Sequence, residues 1–173
     1  MDEGGAIHRS PVRLILATAP ILVLGLVAVA LASTKTVNDA QGDSKKGAVD
    51  IKSATAVAGA KKVTWTISAY DPFNTNKAPC VGIGQSASKH PLGDRLEICG
   101  DGVIQDFQHG GTAGHAKVTQ PDQSTIVYQI RRKKLGHHKA FSWQVQVRQG
   151  KKCFPDICDQ APEGPGTHVV QKL

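Results

Sequence analysis

Aromatic residues supply only 5% of this chain, methionine occurs once, and the first 79 residues contain no cysteine. Without a cysteine near the N-terminal apolar stretch, a lipid-modified anchor is excluded. No Gly-x-Ser-x-Gly elbow is present: Gly82, Gly84 and Ser86 come near it but lack the strand-to-helix setting such a nucleophile needs. No Gly-x-Gly pair opens a helix, so a phosphate cradle of that kind is excluded too. Internal repeats are missing. Beyond the N-terminus no segment keeps a helical apolar stripe over ten residues, which argues against a helical bundle. No cofactor or metal and no enzymatic activity are expected. The alternative is an envelope hydrolase whose carboxylate or histidine pair short motifs do not reveal. Asp71, Asp94, Glu97, Asp101, Asp106, His109 and His115 are the residues that would have to converge for it.

What is present begins with an export signal. Arg9 and Arg13 precede residues 14–32, a stretch without a charge whose only polar side chain is Thr18. A bilayer span needs about 20 apolar residues and a signal core about 7–15, so the length falls between the two. Ala30 and Ala32 fit the small-x-small cleavage rule, which favours a signal peptide over a retained membrane anchor. In both cases the arginines stay inside and the rest is translocated. Residues 1–32 are therefore read as signal or anchor. Residues 33–47, polar and with one valine, are read as a flexible linker that buries too little to offset its ordering entropy.

From residue 48 the pattern changes to period two. Phe141, Trp143, Val145 and Val147 alternate with Ser142, Gln144, Gln146 and Arg148. Successive side chains of a strand point to opposite faces, so this is a half-buried antiparallel strand. Val63, Trp65 and Ile67 repeat the design, as do Ile126, Tyr128 and Ile130. Weaker candidates lie at 49–55, 95–99, 103–107, 115–119 and 167–170. Gly59 to Lys62, Asp71 to Asn74, Gly100 to Gly102 and Gln120 to Gln123 punctuate them as turns. Roughly seven or eight short strands at this spacing indicate an all-β antiparallel two-sheet sandwich over 48–173.

Cys80, Cys99, Cys153 and Cys158 all follow the export segment, and an even count in an oxidising compartment implies disulfides. Pairing of Cys80 with Cys99 and of Cys153 with Cys158 is favoured because each pair brackets a short, turn-rich loop. Neither pair has thioredoxin or zinc-finger spacing.

The chain carries 21 Lys and Arg against 14 Asp and Glu, a net +7 that favours anionic partners. Arg131, Arg132, Lys133, Lys134, His137, His138 and Lys139 concentrate that charge between the two strongest strands, where a protruding hairpin tip is expected. Such a run attracts an anionic cell-envelope polymer or lipid headgroups, although charge runs also serve simply as solvated faces that discourage edge aggregation. It contains no aromatic residue for base stacking, which argues against nucleic acid. A retained residue 14–32 segment would add a membrane contact. The carboxylates at 71–76 and 101–106 match no calcium-loop spacing and read as turn formers. His109 and His115 flank a glycine-rich turn but lack a third ligand.

The opening Val49, Asp50, Ile51, Lys52, Ser53, the strand Lys61, Lys62, Val63, Thr64, the turn Pro121, Asp122 and the closing segment 159–164 follow one another in an order that resembles a group of secreted actinobacterial β-sandwich domains of unknown function. The resemblance spans about residues 48–173 and implies a sandwich and export. It implies no activity and no functional residue.

Overall fold

The computed structural model describes residues 32–45, 47–84, 95–148, 157–163 and 167–173; the apolar segment before Ala32, His90, Asp94 and Cys153 lie outside them. Strands follow one another as β1 (Ser33–Asn38), β2 (Ile51–Ala58), β3 (Lys62–Ala69), β4 (Cys80–Gly84), β5 (Leu96–Ile98) and β6 (Val103–Asp106). The second half supplies β7 (Thr112–His115), β8 (Lys117–Asp122), β9 (Thr125–Arg131), β10 (Ala140–Val147), β11 (Asp159–Ala161) and β12 (Val169–Lys172). A five-stranded sheet runs β1-β2-β3-β9-β8, and a seven-stranded sheet runs β11-β10-β4-β5-β6-β7 with β12 also on β10. Every pairing is antiparallel.

The alternating sequences account for the packing. Val63, Trp65 and Ile67 on β3 stand opposite Ile130, Tyr128 and Ile126 on β9, so one face of the first sheet is a continuous apolar surface. Phe141, Trp143, Val145 and Val147 present the facing surface from β10, all buried. Trp65 and Phe141 meet edge to face across the two sheets with ring centroids 6.0 Å apart. Such aromatic pairs add about 0.5–1.5 kcal/mol beyond the area they bury. Two of the largest side chains in this core have their polar atoms paired: the Tyr128 hydroxyl donates to the Pro79 carbonyl at 2.8 Å, and Trp143 Nε1 donates to Gln171 Oε1 at 3.0 Å, whereas Trp65 Nε1 has no hydrogen-bond partner among the described residues. The Cys80–Cys99 disulfide ties β4 to the end of β5.

Four expectations change. Residues 33–38 are not linker but the edge strand β1, paired over its whole length with β2. The strand costs little apolar burial because an existing edge supplies its hydrogen bonds; Thr36 and Thr55 hydroxyls meet across it at 2.9 Å. Gln171 reinforces it, donating to the Ser33 and Ala56 carbonyls. Strand β10 is buried on both faces, since Ser142, Gln144 and Gln146 are covered as fully as the apolar residues between them. Gln146 Nε2 donates to Glu97 Oε2 at 2.6 Å, and the Arg148 guanidinium lies 3.5 Å from the same oxygen. The segment expected to turn at 120–123 continues β8 as far as Asp122, and β4 and β11 form where no strand was expected, bringing the described strands above the eight foreseen. Finally, β9 and β10 belong to different sheets, so residues 131–139 cross between layers instead of capping a hairpin.

Candidate anion-binding site

That crossing begins where β9 ends. Lys62 pairs with Arg131 in the β3–β9 ladder, and the Arg132 amide donates to the Lys61 carbonyl at 2.9 Å. The β2–β3 turn is thereby held against the start of the basic run. Residues Arg132–Leu135 then form a single 3-10 turn, whose last residue, Leu135, is buried and anchors the segment to the core. Gly136 follows with φ +75°, a backbone region that side chains with a Cβ rarely adopt, and its amide returns to the Lys133 carbonyl at 3.2 Å. This reversal folds His137 and His138 back beside Arg131 and Arg132.

The result is a cavity of about 730 Å³ lined by Lys61, Lys62, Arg131, Arg132, Lys133 and the two histidines, with Ala60 and Gly136 completing it. Among the described residues, five permanent cations therefore border one concavity, and no carboxylate lines it. A second hollow of about 300 Å³ shares Lys62 and Arg131 and adds His115 and Lys117, extending the positive surface onto the outer side of the first sheet. Arginine forks and lysine ammoniums at this density suit phosphate or carboxylate oxygens, which accept charge-assisted bonds.

Of the residues expected at this site, Arg131, Arg132, Lys133, His137 and His138 line the cavity. Lys134 and Lys139 do not. The Lys134 ammonium donates to the Ala113 carbonyl on β7, and the Lys139 carbonyl accepts the Leu173 amide. Lys61 and Lys62 join from a turn about 70 residues earlier; their positions were visible in the sequence, but their neighbours depend on the β3–β9 register.

The remaining candidates serve local structure. Cys80 and Cys99 are paired, and Cys158 is disulfide-bonded, its expected partner Cys153 lying outside the described residues. Asp101 caps the Val103 amide at 3.0 Å. Asp106 accepts the amides of Gln108 and His109, and its other oxygen lies 3.1 Å from His109 Nδ1. Partial desolvation works upward on Asp106, but the His109 ring and these amides outweigh it and hold the carboxyl below the ordinary range. Among the described residues, no cluster of three potential metal ligands includes a histidine. No family model, curated protein or solved structure matches this chain, so the site rests on its own geometry.

Proposed function

We propose that this domain is a binding module for an anionic polymer of the cell envelope, held outside the cytoplasm and gripping phosphate or carboxylate groups in the cavity at the β2–β3 and β9–β10 connections. The observation that carries this reading is the convergence of Lys61, Lys62, Arg131, Arg132 and Lys133 on one hollow that no carboxylate lines among the described residues. Its volume falls within the range of about 300–1,000 Å³ usual for ligand sites. The Cys80–Cys99 disulfide is compatible with an extracytoplasmic location. Among the described residues, no helix is long and apolar enough to cross a membrane. Lipid headgroups present the same phosphate chemistry, but an open concavity suits a polymer segment lying along it better than a flat headgroup surface.

Polyphosphate is a suitable probe. Binding at 20 mM salt should weaken by at least about tenfold at 200 mM, because the Debye length shrinks to about 8 Å near physiological ionic strength. Reversing Lys61, Lys62, Arg131 and Arg132 to glutamate should lower affinity by about a hundredfold, with circular dichroism unchanged. Retained affinity in that variant at low salt contradicts the reading.

A further inference from the structure

At the other end of β2 the chain gathers carboxylates. The β1–β2 connection leaves the sheet at Asp39, whose amide still donates to the Lys52 carbonyl at 3.1 Å. It turns at Gly42, whose amide donates to Asp50 Oδ2 at 2.7 Å. Farther on, the Lys45 amide reaches the Cys158 carbonyl at 3.0 Å, which brings this connection alongside β11. From β11, Asp159 Oδ2 accepts the Ile51 amide at 2.6 Å. Carboxylate oxygens of Asp39, Asp43 and Glu163 all lie within 4.8 Å of one another, as do those of Asp43, Asp50 and Asp159. Asp43 belongs to both groups.

Three of these side chains are buried: Asp39 is 8%, Asp50 6% and Asp159 7% exposed. Both oxygens of Asp39 and Oδ1 of Asp50 have no hydrogen-bond partner. Buried polar atoms are nearly always satisfied, and an unpaired buried carboxylate costs far more than an unpaired amide. Here three such oxygens are buried beside further negative charge. That arrangement is unfavourable by itself and is what a cation with several open coordination positions requires.

We infer that Asp39, Asp43, Asp50, Asp159 and Glu163 form a calcium site joining the β1–β2 connection to β11. All donors are oxygens, which excludes the nitrogen and sulfur preference of zinc and copper. Calcium–oxygen distances of about 2.3–2.6 Å put ligands on opposite sides of the ion about 5 Å apart, in keeping with the 4.8 Å limit that holds within each of the two groups meeting at Asp43. Donors drawn from an irregular connection and a short strand suit calcium's adaptable shell better than magnesium's octahedron. One ion would tie an edge of the first sheet to an edge of the second, next to the cystine at Cys158. The electrostatics agree: burial first, and then Glu163, Asp159 and Asp43, push the Asp39 carboxyl up to about 8, and burial pushes Asp159 up to about 6.

The test uses the full-length chain stripped with EDTA and titrated with calcium chloride at pH 7.5, followed by calorimetry and thermal melting. Saturable binding is expected with Kd of roughly 0.1–1 mM, the range of extracellular modules. The accompanying rise in Tm should be about 5 °C at 5 mM calcium, and equal magnesium should give less. Asp43→Asn and Glu163→Gln alter exposed side chains that the fold does not need, and each should weaken calcium binding at least tenfold; Asp122→Asn should leave it unchanged. Absence of a calcium response in the stripped protein, or identical titrations for wild type and the Asp43→Asn, Glu163→Gln double variant, overturns the site. Polyphosphate binding measured in EDTA does not depend on these residues, so the two readings fail separately.

Discussion

At the far end of β2 from its first residue, cations stand around an open hollow; at the near end, about 25 Å away by strand rise, carboxylates are folded into the protein. The basic end keeps its charges hydrated and mutually screened, so it costs the fold little and stays available to a ligand. The acidic end withdraws Asp39, Asp50 and Asp159 from water, where like charges repel in a lower dielectric. On the proposed reading one end would acquire a partner from solution without reshaping the domain, whereas the other needs protons or a cation before it is comfortable. The binding proposed at the basic end and stability at the acidic end should respond to different perturbations.

The largest separation is expected with pH. In EDTA, Asp39 titrates near 8 and Asp159 near 6, against about 3.9 for an unfolded aspartate. Among the described residues, the charged groups that act on the Asp39 carboxyl are Asp43, Asp159 and Glu163, all acidic, and the Tyr70 hydroxyl donates to the Asp39 carbonyl at 3.1 Å. Folded protein thus holds protons that the unfolded chain has already released. Their contribution to stability is complete below about pH 4 and is lost as pH rises through 6 and 8. Urea unfolding should show a fall of roughly 2–4 kcal/mol between pH 5 and 9, flattened by 5 mM calcium. Stability that rises over this interval in EDTA would remove the contrast.

Replacing Leu135 by alanine should act on the opposite end. Loss of its buried side chain costs about 2–3 kcal/mol and loosens the segment that shapes the cavity, so polyphosphate binding should weaken while the calcium response persists. A finer division lies within the basic run itself. Lys62→Ala should reduce polyphosphate affinity about fivefold, and Lys134→Ala by less than about twofold, since Lys134 is turned onto the Ala113 carbonyl. Equal losses in the two variants would mean that charge density alone, rather than the cavity, sets binding. Smallest of all, Thr36→Ala should cost less than about 1 kcal/mol in urea unfolding, the usual worth of one cross-strand polar pair.

The alternation of Val63, Trp65 and Ile67 with threonines, and of Ile126, Tyr128 and Ile130 with the half-buried Val127 and Gln129, made the central strands of the first sheet legible, because their outer face meets water. Strand β10 has the same alternation, yet Gln144 and Gln146 are buried. Periodicity separates two faces but does not say what covers each. It is equally silent on which sheet a strand joins, and so the run at 131–139 read as a hairpin tip. Strand β1 was hidden for another reason: composition reports the apolar surface a segment can bury, not the hydrogen bonds an unpaired edge offers it. Asp39, Asp43, Asp50, Asp159 and Glu163 had no local signature, since over 100 residues separate Asp50 from Asp159 and only the docking of β11 beside β2 unites them.

The central claim, that the basic end alone is a binding surface for polyanions, is tested most directly by titrating the isotope-labelled full-length chain with polyphosphate and following its backbone amides by NMR. Saturable shifts confined to residues 60–62 and 131–138, with 39–50 and 159–163 unmoved, are the predicted result. Shifts spread over the whole surface, or centred away from those two connections, would contradict it.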